Sequence, residues 1–136
     1  MPVEVIGIDH VFVAVRDLEI SGEFYDRVMG VLGFRKRATP LGGDPHLHYY
    51  NRHVAYSLRP AREATADHDP YAPGLHHLCF RVVDEEAVDR AFGELRTAGV
   101  EATEPCYYPD GLRLEVMNFR ETRRRIMYDW EARANL

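Results

Sequence analysis

Two histidines and one glutamate in this chain, His10, His77 and Glu115, have the residue types that bind a divalent metal ion. His10 lies in the segment IDHVFVAV and His77 in the similar segment LHHLCFRV, 67 positions further on. Two imidazoles and one carboxylate are a ligand set for a first-row divalent ion, and they leave coordination positions open. A single histidine in a strand is more often a core residue, so the repetition is the feature that favours a metal site.

The β-branched and aromatic content of both copies predicts strands, in which successive side chains alternate between faces. His10 and His77 then lie on one face of their strands. The apolar residues one, three and five positions after each histidine lie on the other face. His76 is expected to point away from His77, beneath a helix. In the last predicted strand, 112–117, the same alternation places Arg113 and Glu115 on the histidine side. If the two modules close these faces into one cup, the three ligands converge.

Each copy continues into a predicted helix. Asp17 and Asp84 follow the two strands and suit helix N-caps, because a carboxylate accepts hydrogen bonds from the first free amides. Apolar residues then recur at spacings of three and four, which predicts one buried helical face. Gly33 and Gly99 end the helices, where a left-handed residue costs little only for glycine.

The first half of the chain therefore has the order β-α-β-β-β, with strands at 47–51 and 53–58, and forms module one at 6–60. A polar linker at 61–74 leads to module two at 75–119 and to a tail at 120–136 that we expect to be helical. When Ser57 is aligned with Glu115, the second half is nine residues shorter than the first. Only one strand is visible after Tyr108. Either a strand has been lost or a segment near Tyr108 and Pro109 is missing from the sequence, and we favour the missing segment.

Several polar side chains are candidates for substrate contacts. His46, His48 and His53 could be further ligands or proton carriers, although a turn and an edge strand would also contain them. The guanidinium groups of Arg81 and Arg113 suit an anionic substrate, but each could equally well pair with a nearby carboxylate. The predicted substrate-binding residues are His48, Tyr50, Ser57, Arg81 and Arg113.

Bulk properties exclude several classes of protein. The 136 residues suffice for one compact domain, and the net charge of −5 argues against a nucleic-acid partner. No apolar run approaches the roughly 20 residues of a membrane helix. The N-terminus carries no secretory signal, so we expect a cytoplasmic protein that has a small-molecule substrate and free cysteines.

Four segments together resemble the vicinal oxygen chelate superfamily of glyoxalases, bleomycin resistance proteins and dioxygenases: IDHVFVAV, LEISGEFYDRVMGVLGF, LHHLCFRV and YPDGLRLEV. The resemblance covers residues 6–119. It implies an α+β fold in which two βαβββ modules build eight-stranded mixed sheets around a cup-shaped cavity, with the second module one strand short here. It also implies a homodimer and one divalent ion of iron, manganese, nickel or zinc on His10, His77 and Glu115, with Glu115 also catalytic.

The function implied is that of a metal-dependent lyase, isomerase or ring-cleaving dioxygenase acting on a small oxygenated substrate that chelates the metal. Glyoxalase I resembles this pattern but has a fourth ligand, Glu or Gln, where this chain has Ser57, or Ala55 if the register shifts by two. Neither residue is a good ligand, so a three-ligand dioxygenase or fosfomycin-type transferase fits better than a glyoxalase. The alternative is a small-molecule binding protein of the bleomycin-resistance type, with or without metal.

Overall fold

The computed structural model describes residues 1–63, 69, 71–102, 107–108, 111–112, 114–120 and 123–127. Side chains are described as far as residue 102, apart from that of Glu85. The chain divides into two compact units, Met1–Ala64 and Thr65–Leu136, and this boundary falls within the predicted linker. Within the described ranges, no helix combines the length and the apolar character needed to cross a membrane.

The first unit is a four-stranded mixed sheet with one helix. Its elements are β1 (His10–Val15), α1 (Leu18–Val31), β2 (Arg35–Ala38), β3 (Leu47–Tyr50) and β4 (Ala55–Pro60). The strand order is β1-β4-β3-β2, in which β1 runs parallel to β4 and the other neighbours are antiparallel. This is the β-α-β-β-β order predicted for the first module.

Helix α1 begins and ends where the sequence predicts. The Asp17 carboxylate accepts a hydrogen bond from the Ile20 amide at 3.0 Å, and Gly33 follows the helix with a φ of 82°. Residues at helical spacing bury one face of α1 against the sheet, which removes their apolar surface from water. The apolar core of this unit consists of Val15, Tyr25, Val28, Met29, Tyr49, Tyr56 and Leu58.

Tyrosine contacts show which face of the sheet meets α1. The hydroxyl groups of Tyr25 and Tyr56 lie 2.9 Å apart, and the Tyr49 hydroxyl donates to Oδ1 of Asp26 at 2.8 Å. Burial, together with the hydrogen bond and charge of Asp26, raises the pKa of Tyr49 well above its usual value. Because Tyr25 and Asp26 belong to α1, Tyr49 of β3 and Tyr56 of β4 must face that helix.

The second unit has the elements β5 (Leu78–Phe80), α2 (Glu85–Thr97), β6 (Tyr107–Tyr108), β7 (Gly111–Leu112), β8 (Leu114–Arg120) and β9 (Arg123–Met127). Strands β5, β8 and β9 form an antiparallel sheet, and β6 pairs with β7. Asp84 caps α2 by accepting from the Ala87 amide at 2.8 Å. The buried residues of this helix and of the chain after it are Ala87, Val88, Ala91, Leu95 and Val100.

The α+β class with a mixed sheet is confirmed, but two details differ from the prediction. The helical tail is wrong at residues 123–127, which form β9 against β8. The strand predicted to begin at His53 begins at Ala55, because the Asn51 side chain accepts from the amides of His53 and Val54 and holds them in a turn. The two units also differ from each other, since β8 runs antiparallel to β5, whereas β4 runs parallel to β1.

Candidate active site

The face of the first sheet that lies away from α1, which we call the distal face, carries the candidate chemistry of this unit. The valines of β1 are half-buried or buried, whereas His10 and Phe12 are exposed on the other side. Phe12 pairs with Ser57 across β1 and β4, and Ser57 pairs with His48 across β4 and β3. Directly opposed residues project to the same side of a sheet, so these side chains lie next to one another on the distal face.

Phe12 is the centre of an aromatic and imidazole cluster. Its ring centroid lies 5.5 Å from that of His10, 5.7 Å from His46 and 6.1 Å from His48, each in an edge-to-face arrangement. The Phe12 side chain remains 46% exposed. An exposed apolar ring with imidazoles on its edges offers a small molecule both a flat surface and hydrogen-bonding groups. The structure thus brings the predicted residues His10, His48 and Ser57 together.

His10 has one ring nitrogen held by its neighbour. Its Nδ1 lies 2.8 Å from Oδ2 of Asp9, where a protonated Nδ1 donates to the carboxylate. Such a bond selects the tautomer with a free lone pair on Nε2 and makes that nitrogen a better ligand. The imidazole is exposed, with 58% of its side chain accessible. His10 therefore has the local geometry of a metal ligand that binds through Nε2.

His48 and Ser57 form a partly buried polar contact on the distal face. Nδ1 of His48 lies 2.7 Å from Oγ of Ser57, which is 1% exposed, while His48 itself is half-buried. The short distance follows from the register, since the two residues are direct cross-strand partners. Tyr50, two residues along β3, lies at the next distal position and is 38% exposed.

His46 and His53, which the sequence groups with His48, have different environments. His46 is 3% exposed, donates from Nδ1 to the Asp44 carbonyl at 2.9 Å and stacks on His48 with the ring centroids 5.6 Å apart. His53 is exposed in the turn before β4 and contacts Arg52. His46 thus stacks on the His48 ring. This contact could not be predicted from the sequence, because it depends on how the turn at Asp44 folds.

Asp44 forms an ionic contact near the cluster around Phe12, and the sequence does not reveal this contact. Its carboxylate accepts hydrogen bonds from Arg59 of β4 and from Arg62. Partial burial raises the pKa of the Asp44 carboxyl, but the hydrogen bonds and charges of the two arginines outweigh this effect and hold it below the usual value. Because it is paired with Asp44, Arg59 is not a free cation for an anionic substrate.

In the second unit, His77 resembles His10 in the way its ring is held. Nδ1 of His77 lies 2.8 Å from Nδ1 of His76, so one nitrogen donates and the other accepts. The prediction that His76 points away from His77 is wrong, because both residues precede β5 and strand alternation does not apply to them. Asp9 and His76 occupy equivalent places in the repeat, so each candidate ligand has Nδ1 bonded to the residue before it.

The other predicted site residues of the second unit are only partly described. The register pairs Glu115 of β8 with Cys79 of β5, two residues beyond His77. Ser57 likewise pairs with Phe12, two residues beyond His10. Arg81 is exposed just after β5. Arg113 and the side chain of Glu115 lie outside the described residues.

The donor chemistry of these residues fits a divalent metal ion. The contact of Nδ1 of His10 with Asp9 leaves Nε2 as a ligand, and His77 has the same form in the tautomer in which its Nδ1 donates to His76. A carboxylate completes a set suited to a first-row ion. Among the side chains that the structure describes, no three His, Cys, Asp or Glu residues are gathered closely enough to hold such an ion. The predicted set combines residues of both units and an undescribed side chain, and so stays a prediction.

Comparison with known proteins identifies the family. A model of the glyoxalase/bleomycin resistance protein/dioxygenase superfamily matches residues 7–116. The chain belongs to this superfamily, also called the vicinal oxygen chelate superfamily. The resemblance noted in the four sequence segments is thereby confirmed, and the match includes the positions of His10, His77 and Glu115. No curated protein matches the chain.

Solved structures of superfamily members share the fold. A glyoxalase/bleomycin resistance protein/dioxygenase domain from Frankia sp. EAN1pec has a TM-score of 0.69 at 23% identity, covering 90% of this chain and 96% of its own. A lactoylglutathione lyase from Agrobacterium tumefaciens has a TM-score of 0.58 at 16% identity, with 93% of both chains covered. A variant of a fosfomycin resistance protein from Listeria monocytogenes, in complex with Mn(II) and a dihydroxypropylphosphonic acid, has a TM-score of 0.56 at 13% identity, covering 96% and 99%.

Proposed function

We propose that this protein is a divalent-metal-dependent enzyme that acts on a small oxygenated substrate, with His10, His77 and Glu115 as the metal ligands. The observation that carries the proposal is the geometry of His10. Its ring is exposed on the distal face of a superfamily domain, and Asp9 holds Nδ1 so that Nε2 is available. Metal-bound histidines usually donate their other ring N–H to a carboxylate or carbonyl in this way.

The second unit supports the proposal through equivalent positions. His77 has its Nδ1 bonded to His76, and Glu115 stands at the same register distance from His77 as Ser57 does from His10. The Mn(II) complex of the fosfomycin resistance protein is an example of this fold binding a divalent ion. Iron, manganese, nickel and zinc are all compatible with two imidazoles and a carboxylate.

The metal would supply Lewis-acid stabilisation of an oxyanion that develops on the substrate. The residues of this chain would bind and orient the substrate. Phe12 offers an apolar surface beside His10, and His48 and Tyr50 offer polar groups on the same face. Arg81 and Arg113 would contact an anionic part of the substrate from the second unit. The reaction class is a lyase, an isomerase or a dioxygenase, and a homodimer belongs to the same proposal.

Bound metal tests the proposal directly. The protein is purified without a poly-His tag and without chelators, and its metal content is measured by elemental mass spectrometry. We expect about one ion per chain in the parent, because such sites bind tightly enough to survive purification. His10→Ala, His77→Ala and Glu115→Ala should each lose it. His53→Ala, which removes an exposed histidine from a turn, is the matched control and should keep it.

Two outcomes would contradict the proposal. The first is a parent without metal even after incubation with iron, manganese, nickel or zinc. The second is a metal content that survives all three ligand substitutions. Either result would favour a binding protein of the bleomycin-resistance type, for which the exposed Phe12 surface would be the ligand platform.

A further inference from the structure

We propose that Arg35 and Arg37 of β2 bind an oxyanion group, a carboxylate or a phosphate, of a small molecule whose apolar part lies on the distal face of the first unit. Neither residue stands out in the sequence. The inference goes beyond the proposed metal site, because it requires no metal and applies equally to an enzyme and to a binding protein.

The register places Arg37 on the distal face. Arg37 pairs with His48 across β2 and β3. His48 pairs in turn with Ser57 of β4, and Ser57 pairs with Phe12 of β1. Directly opposed residues project to the same side of a sheet, so these four side chains form one row across it.

Arg35 ends a second row beside the first. It pairs with Tyr50 of β3, Tyr50 pairs with Ala55 of β4, and Ala55 pairs with His10 of β1. Neighbouring strands lie about 4.8 Å apart, so each row spans about 14 Å from β2 to β1. Each row therefore has an arginine at one end and a ring, that of His10 or Phe12, at the other.

The charges of these two arginines are not neutralised within the described part of the chain. Both residues are exposed, and they lie two positions apart on one face, about 7 Å along the strand. Among the side chains that the structure describes, neither has an ion-pair or hydrogen-bond partner, whereas Arg59 on the same face is paired with Asp44. A bound oxyanion would relieve the repulsion, and guanidinium groups match the oxygens of carboxylates and phosphates.

Lys36, between the two arginines, has the opposite arrangement. It pairs with Tyr49, which faces α1, and its Nζ lies 2.8 Å from Oδ1 of Asp26. Charged residues on an edge strand also prevent pairing with other chains, and all three basic residues would serve that purpose. That role depends on charge and not on the face, so substitutions on the two faces of β2 separate it from ligand binding.

The rings beside the arginines indicate the rest of the ligand. Phe12 is 46% exposed and Tyr50 is 38% exposed, and both lie on the distal face. An apolar or aromatic group that covers these rings would be removed from water, which favours binding. The ligand class is therefore an arylalkyl carboxylate or an arylalkyl phosphate.

Titration of the metal-free protein tests the inference. The probes are hydrocinnamate, phenethylphosphonate as a phosphate analogue, and the neutral hydrocinnamide as the control. Binding is followed by proton–nitrogen NMR in about 0.1 M salt, which screens charges more than about 10 Å apart. We expect saturable shifts of β2 and β3 amides with an anion, and about 10-fold weaker binding of the amide. The anion that binds more tightly identifies the group as a carboxylate or a phosphate.

Three variants locate the site. Arg35→Gln and Arg37→Gln should each weaken anion binding by about 3-fold, and the double variant by about 10-fold. Lys36→Gln is the matched control, because it removes the same charge from the same strand on the face towards α1, and it should keep the parental affinity. The NMR spectrum shows whether each variant is folded, and the comparison of acid with amide needs no variant.

Four results would overturn the inference: no saturable binding of either anion, equal affinity for the acid and the amide, parental affinity in the double variant, or an equal loss in Lys36→Gln. Metal content does not enter this test, so the inference and the proposed function fail separately.

Discussion

The two units start from the same plan and differ in the direction of one strand. In both, a histidine precedes or begins a strand, an aspartate caps the following helix, and a glycine ends that helix. In the first unit three strands follow α1, and the third of them, β4, runs parallel to β1. In the second unit β8, which carries Glu115, runs antiparallel to β5.

Strand pairing differs between the units, although two strands precede the partner strand in each. Strands β2 and β3 lie between α1 and β4, and both belong to the sheet that contains β4. Strands β6 and β7 lie between α2 and β8, but they pair with each other in a sheet of their own. The register distance from the histidine is nevertheless the same in both units, because Ser57 pairs two residues beyond His10 and Glu115 pairs two residues beyond His77.

The largest expected effects are losses of stability when residues in the cores of the two units are substituted. Comparing these losses tests whether the two units are packed equally well. Leu58 of β4 and Leu95 of α2 are both fully buried. We expect Leu58→Ala and Leu95→Ala each to lower the free energy of unfolding by about 2–5 kcal/mol, from lost burial and the cavity left behind. Urea denaturation measures both.

Leu41→Ala is the control for these two variants, because Leu41 is 49% exposed and should change the free energy by less than about 0.5 kcal/mol. A loss below that size for Leu95→Ala, alongside a large loss for Leu58→Ala, would show that only the first unit has a tightly packed core.

The residues before the two histidines make a finer comparison of the units. Asp9 gives His10 a charged acceptor, whereas His76 gives His77 an imidazole. If both histidines bind metal, Asp9→Ala should weaken metal affinity by about 10- to 100-fold. His76→Ala should have a smaller effect, because a neutral partner polarises the ligand less. Competition with a chromophoric chelator measures the affinities.

Two variants control for side effects of these substitutions. Asp9→Asn keeps an acceptor for Nδ1 of His10 and should lose less affinity than Asp9→Ala. Glu4→Ala removes a carboxylate from the same exposed segment and should leave affinity unchanged. An Asp9→Ala protein with parental affinity would refute the role assigned to the Asp9–His10 contact.

Local sequence signals predicted a large part of this structure. The Asp17 and Asp84 caps, the glycine termini and the strand order of the first unit follow from residue types and spacing that act over a few positions. The placement of His10 on the face away from α1 follows from alternation along β1. These features depend on neighbours in sequence, which a single chain displays.

Contacts between distant segments could not be predicted in the same way. The His48–Ser57 pair depends on the register of β3 against β4, and the His46 contact depends on the fold of the turn at Asp44. The strand at 123–127 was mistaken for a helix because its charged residues suit a helix surface, whereas pairing with β8 decides its conformation. Tertiary contacts decide these features, and local propensity does not determine them.

The smallest effect concerns the connection between β2 and β3 in the first unit, residues 39–46. Asp44 anchors it through Arg59 and Arg62, and these partners lower the pKa of its carboxyl below the ordinary value of 3.8. A group whose pKa is lower in the folded state stabilises that state at pH values above its unfolded pKa. This stabilisation is lost as the pH falls through the folded value.

Asp44→Asn should therefore reduce stability at neutral pH by a small amount, since exposed ion pairs contribute little. The difference between parent and variant should shrink as the pH falls below 3.8. Urea denaturation at a series of pH values measures it, with Asp69→Asn as an exposed carboxylate control. A difference that is constant across this range would mean that the Asp44 side chain acts through packing or neutral hydrogen bonds rather than through charge. The connection between β2 and β3 would then not depend on ionic anchoring.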